Sequence, residues 1–324
     1  MIEVRWLDLL HARYHNDGLF FPDGFGDESL LEESLVQRAT PRPVESSPLK
    51  KGERERILRF RSPRADDLPE ESRFAEALVV LPADWSHHTP ICVQLAATGD
   101  EGFMARRRIV AEPLKELGIA SVVLENPLYG CRRPRGQIRT YLRRVSDLWI
   151  MGLAVVAEAR ALLEWLREQG FQNLGVCGVS MGGAMVSQAA ALTPYPLAVC
   201  ACIAPHCATP VFLEGVLSRY VDWEALGEGG RERLGRQLDG SDLRLFPRPS
   251  RPDCAIWLGA RRDAYVDPSS SMLNAEAWPG SKMRWLNSGH VSTTIFHRNQ
   301  YLRGIQEGFA RLATPARELG VWLP

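Results

Sequence analysis

The chain has 324 residues, 45% of them hydrophobic and 24% charged, enough for a sizeable core in one large α/β domain or two ordinary ones. Lys+Arg and Asp+Glu balance at 39 each, so charge gives no reason to expect nucleic acid or an acidic surface as a partner. No apolar run reaches the roughly 18 residues of a membrane span, so no transmembrane segment is expected. The start, "MIEVRWLDLLHARYH", carries charges inside its apolar run and lacks a small-residue cleavage site, unlike a signal peptide.

Residues 1 to 72 show weak periodicity and many breakers, as in "FFPDGFGDES" and "ATPRPVESSPLKKGERER". They are expected to form an N-terminal extension with short helices packed on the domain that follows at 73–324. From there short apolar runs recur: 77–81, 91–96, 119–125, 174–179, 197–204, 255–260 and 283–287. Such runs suit strands buried on both faces of a mostly parallel sheet. Helical patterns at 104–117, 143–169, 181–192 and 299–312 lie between or after them, which predicts a doubly wound α/β sheet. The stretch at about 207–252 is too long for a structureless loop and is expected to be a helical cap. Its Phe212, Leu213, Val216, Leu217 and Trp223 would line an apolar acyl pocket or simply dock the cap.

Of the seven cysteines, Cys92, Cys177, Cys200, Cys202 and Cys254 fall in strand-like runs, which suggests reduced core thiols and a cytoplasmic location. Cys202, His206 and Cys207 lack the paired spacing of a zinc site, and packing explains them better than a metal.

Ligands of such sheets bind beyond the carboxyl ends of the strands, so the residue after each strand is informative. Gly178-Val179-Ser180-Met181-Gly182 fits G-x-S-x-G, which chance supplies about once in seven chains of this composition. Its setting between a strand and an Ala-rich helix is that of a nucleophile elbow, with the helix dipole favouring developing negative charge. The alternative is a Gly-Ser turn without chemistry. A serine hydroxyl needs a base, and His290 in "NSGHVS", just past the strand at 283–287, is the best placed. His11, His15, His87 and His88 lie in early or surface-like segments, His297 lies near the last helix, and His206 reads as a histidine lining a crevice. The orienting acid is expected at Asp263, just past the strand at 255–260, whereas Asp267 precedes Pro268 and suits an N-cap. The order Ser180, Asp263, His290 is that of the α/β-hydrolases. The oxyanion hole would use the main-chain amides of Met181 and Asp100, with Thr98 and Gly99 standing where many hydrolases have His-Gly.

The blocks "ATGDEGFMARRR", "LENPLYGCRRPRG", "VSDLWIMG", "GVSMGGAM", "GVLSRYVDW", "AWPGSKMRWLNSGHVS" and "FHRNQYLRGIQEGF" resemble the abhydrolase domain-containing 18-like group of the α/β-hydrolase superfamily, over about 74–312. The resemblance implies Ser180 as nucleophile, Asp263 as acid, His290 as base, and hydrolysis of an ester or related acyl bond without a cofactor.

Arg132, Arg133 and Arg135, with Arg106, Arg107 and Arg108, follow strands at the same edge and could bind a substrate carboxylate or phosphate. The better reading is that they are solvated, or paired with carboxylates such as Glu125 and Asp147, because charge runs usually form solvated faces. Thr98, Gly99, Arg132, Arg133 and His206 are thus the candidate substrate contacts. The expected function is a serine esterase or lipase-like acyl hydrolase on a small-molecule or lipid substrate. Thioesterase or peptidase action, or a non-catalytic binding module, are the rivals.

Overall fold

A computed structural model describes residues 5–15, 18–38 and 41–315. The expected extension at 1–72 and domain at 73–324 each reach outside the described residues, as does the side chain of His15.

Apolar runs that bury both faces become the strands of one eight-stranded sheet. These are β1 (Glu55–Arg61), β2 (Phe74–Val80), β3 (Ile91–Leu95), β4 (Ala120–Leu124), β5 (Leu174–Val179), β6 (Ala198–Cys202), β7 (Ala255–Ala260) and β8 (Lys282–Leu286). The spatial order is β1-β2-β4-β3-β5-β6-β7-β8. β2 runs antiparallel to both its neighbours, and the strands from β4 to β8 are parallel.

β1 was not among the expected strands; it lies inside the segment read as an extension and pairs with β2 over seven residues. Its "ERILRFR" buries only Leu58 and Phe60, while Glu55, Ile57, Arg59 and Arg61 are exposed. An edge strand needs just one apolar face, and its charges discourage pairing with another chain. That pattern is half as apolar as a central strand, which hides it from a search for continuous runs.

The helices are α1 (Arg5–His15), α2 (Glu28–Leu31), α3 (Leu35–Arg38), α4 (Met104–Arg106), α5 (Glu112–Glu116), α6 (Val145–Glu168), α7 (Met181–Ala191), α8 (Thr209–Leu213), α9 (Trp223–Leu226), α10 (Gly230–Asp239), α11 (Pro268–Ala277), α12 (His290–Phe296) and α13 (Arg298–Ala313). The expected helix at 104–117 is interrupted by a π turn at Arg107–Ala111. The 24-residue α6 is buried along most of its length because it lies between the sheet and the N-terminal segment. Phe20, Phe21, Phe25, Leu31 and Leu35 join the same apolar core as β3 and β5. α8, α9 and α10, with 3-10 turns at Val216–Tyr220 and Leu243–Leu245, form the expected cap. α11 and α12 were not anticipated; α11 is capped by Asp267, whose carboxylate accepts the Ser269 amide at 2.8 Å.

Candidate active site

β5 ends at Val179 and α7 begins at Met181, leaving Ser180 alone to reverse the chain. Its φ of 54° and ψ of −121° are strained for a residue with a side chain, and its amide donates to the Cys202 carbonyl at the end of β6 (2.9 Å). The flanking glycines are demanded by proximity. A Cβ on Gly182 would lie 2.4 Å from the Leu95 carbonyl oxygen, and one on Gly178 would lie 2.3 Å from the Gly182 backbone. The strand and helix are thus pressed together beneath Ser180, which stands at the first turn of α7, where the amides lack intrahelical acceptors.

The loop after β7 brings Asp263 to the same edge. Asp263 Oδ1 accepts the amides of Tyr265 and Val266, each at 2.8 Å, which fixes the carboxylate. Its Oδ2 lies 2.7 Å from His290 Nδ1, so the remaining ring nitrogen of His290, Nε2, is the one left for another partner. Burial disfavours the charged imidazolium of His290, but the charge and hydrogen bond of Asp263, with the charge of Asp8, outweigh it and raise the pKa above the ordinary 6.5.

Ser180, Met181 and His290 face one cavity of about 330 Å³, with Ala97, Thr98 and Gly99 on one wall. Phe20, Leu148, Trp149, Met185, Phe212 and Leu217 supply an apolar wall. Of the five cap residues singled out from sequence, Phe212 and Leu217 line the cavity and the other three do not. Trp223 instead donates to the Ser218 carbonyl and lies under the Arg231 guanidinium, docking the cap on itself.

A sequence profile of the family described as "Alpha/beta hydrolase domain containing 18" matches residues 30–234 and 227–311. The chain belongs to that family. Its fold is shared with solved structures of low sequence identity. An acetyl xylan esterase from Paenibacillus sp. R4 is 16% identical with a TM-score of 0.58, covering 92% of this chain and 98% of that one. Est1E from Butyrivibrio proteoclasticus, with ferulic acid bound, is 13% identical with a TM-score of 0.52 over 73% of this chain and 96% of that one. Pyrococcus horikoshii acylaminoacyl peptidase is 15% identical with a TM-score of 0.56 over 84% of this chain and 45% of that one.

Within this α/β-hydrolase domain the structure relocates several expected contacts. Arg132 is 1% exposed and does not face the cavity. It grips Glu158 of α6 through two hydrogen bonds, 2.9 and 2.6 Å, and donates to the carbonyls of Glu125 (2.7 Å) and Ser72 (2.8 Å). Its role is therefore structural, and its partner came from a helix that sequence proximity does not suggest. Arg133 pairs with Glu101 at 3.3 Å, also away from the cavity. Buried Arg106 donates to the Gln94, Leu124 and Gly102 carbonyls and pairs with Asp100, fastening the ends of β3 and β4.

Asp100 does not line the cavity that holds Ser180, and its amide donates to the Ala97 carbonyl (3.2 Å), which takes it out of the expected oxyanion role. His206 Nδ1 lies 2.7 Å from Ser270 Oγ, and burial lowers its pKa; its neighbours Pro205 and Cys207 line the cavity while its own ring does not. Thr98 and Gly99 do line it. Among the described residues no cluster of His, Cys, Asp and Glu is arranged to hold a metal, and no helix is long and apolar enough to cross a membrane.

Two further residues at the site had no motif to announce them. Tyr265 stacks obliquely on His290, with ring centres 4.8 Å apart, and its hydroxyl lies 3.0 Å from His11 Nδ1. Asp8 of α1 is fully buried beside His290.

Proposed function

We propose that this protein is a serine-dependent carboxylic ester hydrolase of the esterase or lipase-like kind. The observation that carries the reading is the 2.7 Å Asp263–His290 contact opening on the same cavity as the strained Ser180. In this reading the acyl group lies against the apolar wall and its carbonyl carbon stands over Ser180 Oγ. His290 Nε2 takes the Ser180 proton as Oγ attacks, and Asp263 stabilises the resulting imidazolium. The tetrahedral oxyanion is held by the Met181 amide and, in place of Asp100, by the Thr98 amide on the facing loop. His290 returns the proton to the departing alcohol, and a water activated by the same nitrogen releases the acid from the acyl-enzyme. The seven free cysteines favour a reducing, cytoplasmic setting for a small-molecule or lipid acyl substrate.

A biotinylated fluorophosphonate tests this directly. It should label the native protein, peptide mass spectrometry should place the adduct on Ser180, and p-nitrophenyl esters should be turned over and should compete with labelling. No adduct, or an adduct on another residue, overturns the reading. Parallel assays with thioesters and aminopeptide substrates assign the acyl bond.

The reaction needs a neutral His290, and its raised pKa keeps the ring protonated to a higher pH than a free imidazole. The ascending limb of kcat/KM should therefore have its midpoint above the ordinary 6.5, with activity lost as pH falls through it. A rate profile measured from acid to mild alkali checks this.

A further inference from the structure

α1 is amphipathic the wrong way round. Trp6, Leu9 and Leu10 are exposed, while Asp8 and Ala12, one turn apart, are fully buried. Burying a carboxylate is costly unless it is well bonded, and here leucines on either side of it in sequence were available for the core. The bonds made by Asp8 show what the carboxylate does. Its Oδ2 accepts the amides of Ala264 (3.0 Å) and His290 (2.9 Å), and its Oδ1 accepts the amide of Val291 (2.9 Å). Ala264 follows Asp263 directly, so one carboxylate ties the loop carrying the acid to the residue carrying the base.

The fit is mutual. A Cβ on Gly289 would lie 2.9 Å from Asp8 Oδ2 and 3.0 Å from Oδ1, so the glycine before His290 is what lets the carboxylate approach. Gly289 is also the N-cap of α12, and Asp8 serves the amides of the first turn.

We propose that Asp8 is a positioning residue for the Asp263–His290 pair, holding both loops in register and adding a second negative charge next to the imidazole. The inference rests on His290 being the base of the proposed hydrolase. The groups facing His290 are Asp263 from the loop after β7, Asp8 from α1, and Tyr265, whose hydroxyl meets His11 of α1. Asp8 and Asp263 both favour the imidazolium. Removing the Asp8 charge should therefore lower the pKa of His290, and loosening the two loops should slow the chemical step.

The experiment compares Asp8→Asn and Asp8→Ser with the native chain and with Leu9→Gln, an exposed change on the same helix. Two readouts are taken: the pH profile of ester hydrolysis, and the His290 ring titration followed by NMR without substrate. Both Asp8 variants should move the His290 titration and the ascending limb to lower pH and reduce kcat about 10²-fold with little change in KM, while Leu9→Gln leaves all three unchanged. Asp8→Ser retains an acceptor oxygen, so it keeps the test open where Asp8→Asn does not fold. A lowered melting temperature with an unmoved His290 titration would overturn the proposal, leaving Asp8 as a helix cap only. A native protein without esterase activity whose His290 titration still responds to Asp8 would instead remove the hydrolase reading and leave the coupling intact.

Discussion

Ser180→Ala is expected to reduce kcat for a p-nitrophenyl ester about 10⁶-fold and to leave the thermal midpoint close to that of the native protein. The first effect follows from chemistry, since without Oγ there is no acyl-enzyme and only the cavity and oxyanion amides can assist water. The second follows from structure. Ser180 makes no side-chain capping hydrogen bond to α7, and its φ of 54° is as demanding for alanine as for serine. Its main-chain amide still reaches the Cys202 carbonyl. His290→Ala should cost about as much, and the double variant should be little worse, because groups that act as a unit fail together. Ester turnover and fluorophosphonate labelling, measured beside circular dichroism melts, check this; turnover surviving in Ser180→Ala would exclude the acyl-enzyme route.

The largest stability effect is expected at the Arg132–Glu158 pair. Glu158→Ala should destabilise the protein by about 3–5 kcal/mol, because an arginine that is 1% exposed would keep its charge and lose its counter-ion. For a chain of 324 residues that corresponds to a fall in the thermal midpoint of about 4–7 °C. The damage would spread, because Arg132 joins three parts of the fold. It holds Glu158 in α6, the Glu125 carbonyl past β4, and the Ser72 carbonyl before β2. Ser72 Oγ in turn donates to the Arg132 carbonyl and accepts the Leu128 amide. Replacing both partners by apolar residues of similar volume should be much milder than either single change. A substrate-binding arginine would behave otherwise, with Arg132→Met sparing the melt and raising KM for anionic esters only. Thermal melts of the single and double variants, with KM values beside them, separate the two roles.

What the sequence by itself determined is local and periodic. Runs such as "ICVQL" and "LGVCGV" can satisfy their side chains only inside a sheet, so seven of eight strands, the long helix α6 and the cap were legible without coordinates. The order Ser180, Asp263, His290 was legible for the same reason: each residue sits one to four places past a strand, and a parallel sheet gathers strand ends. Tertiary structure decided which distant groups the buried carboxylates Glu158 and Asp8 meet. Arg132 and Glu158 are separated by 26 residues, and Asp8 and His290 by 282. Neither pair follows a helical or strand period, because each contact is made across elements whose mutual placement is set by packing of the whole core. The same limit hid β1, whose single buried face carries half the apolar signal of a central strand. It also hid Asp100, whose amide is taken by a turn that only the folded backbone reveals. Short-range order is written residue by residue, whereas long-range contacts depend on where every intervening element comes to rest.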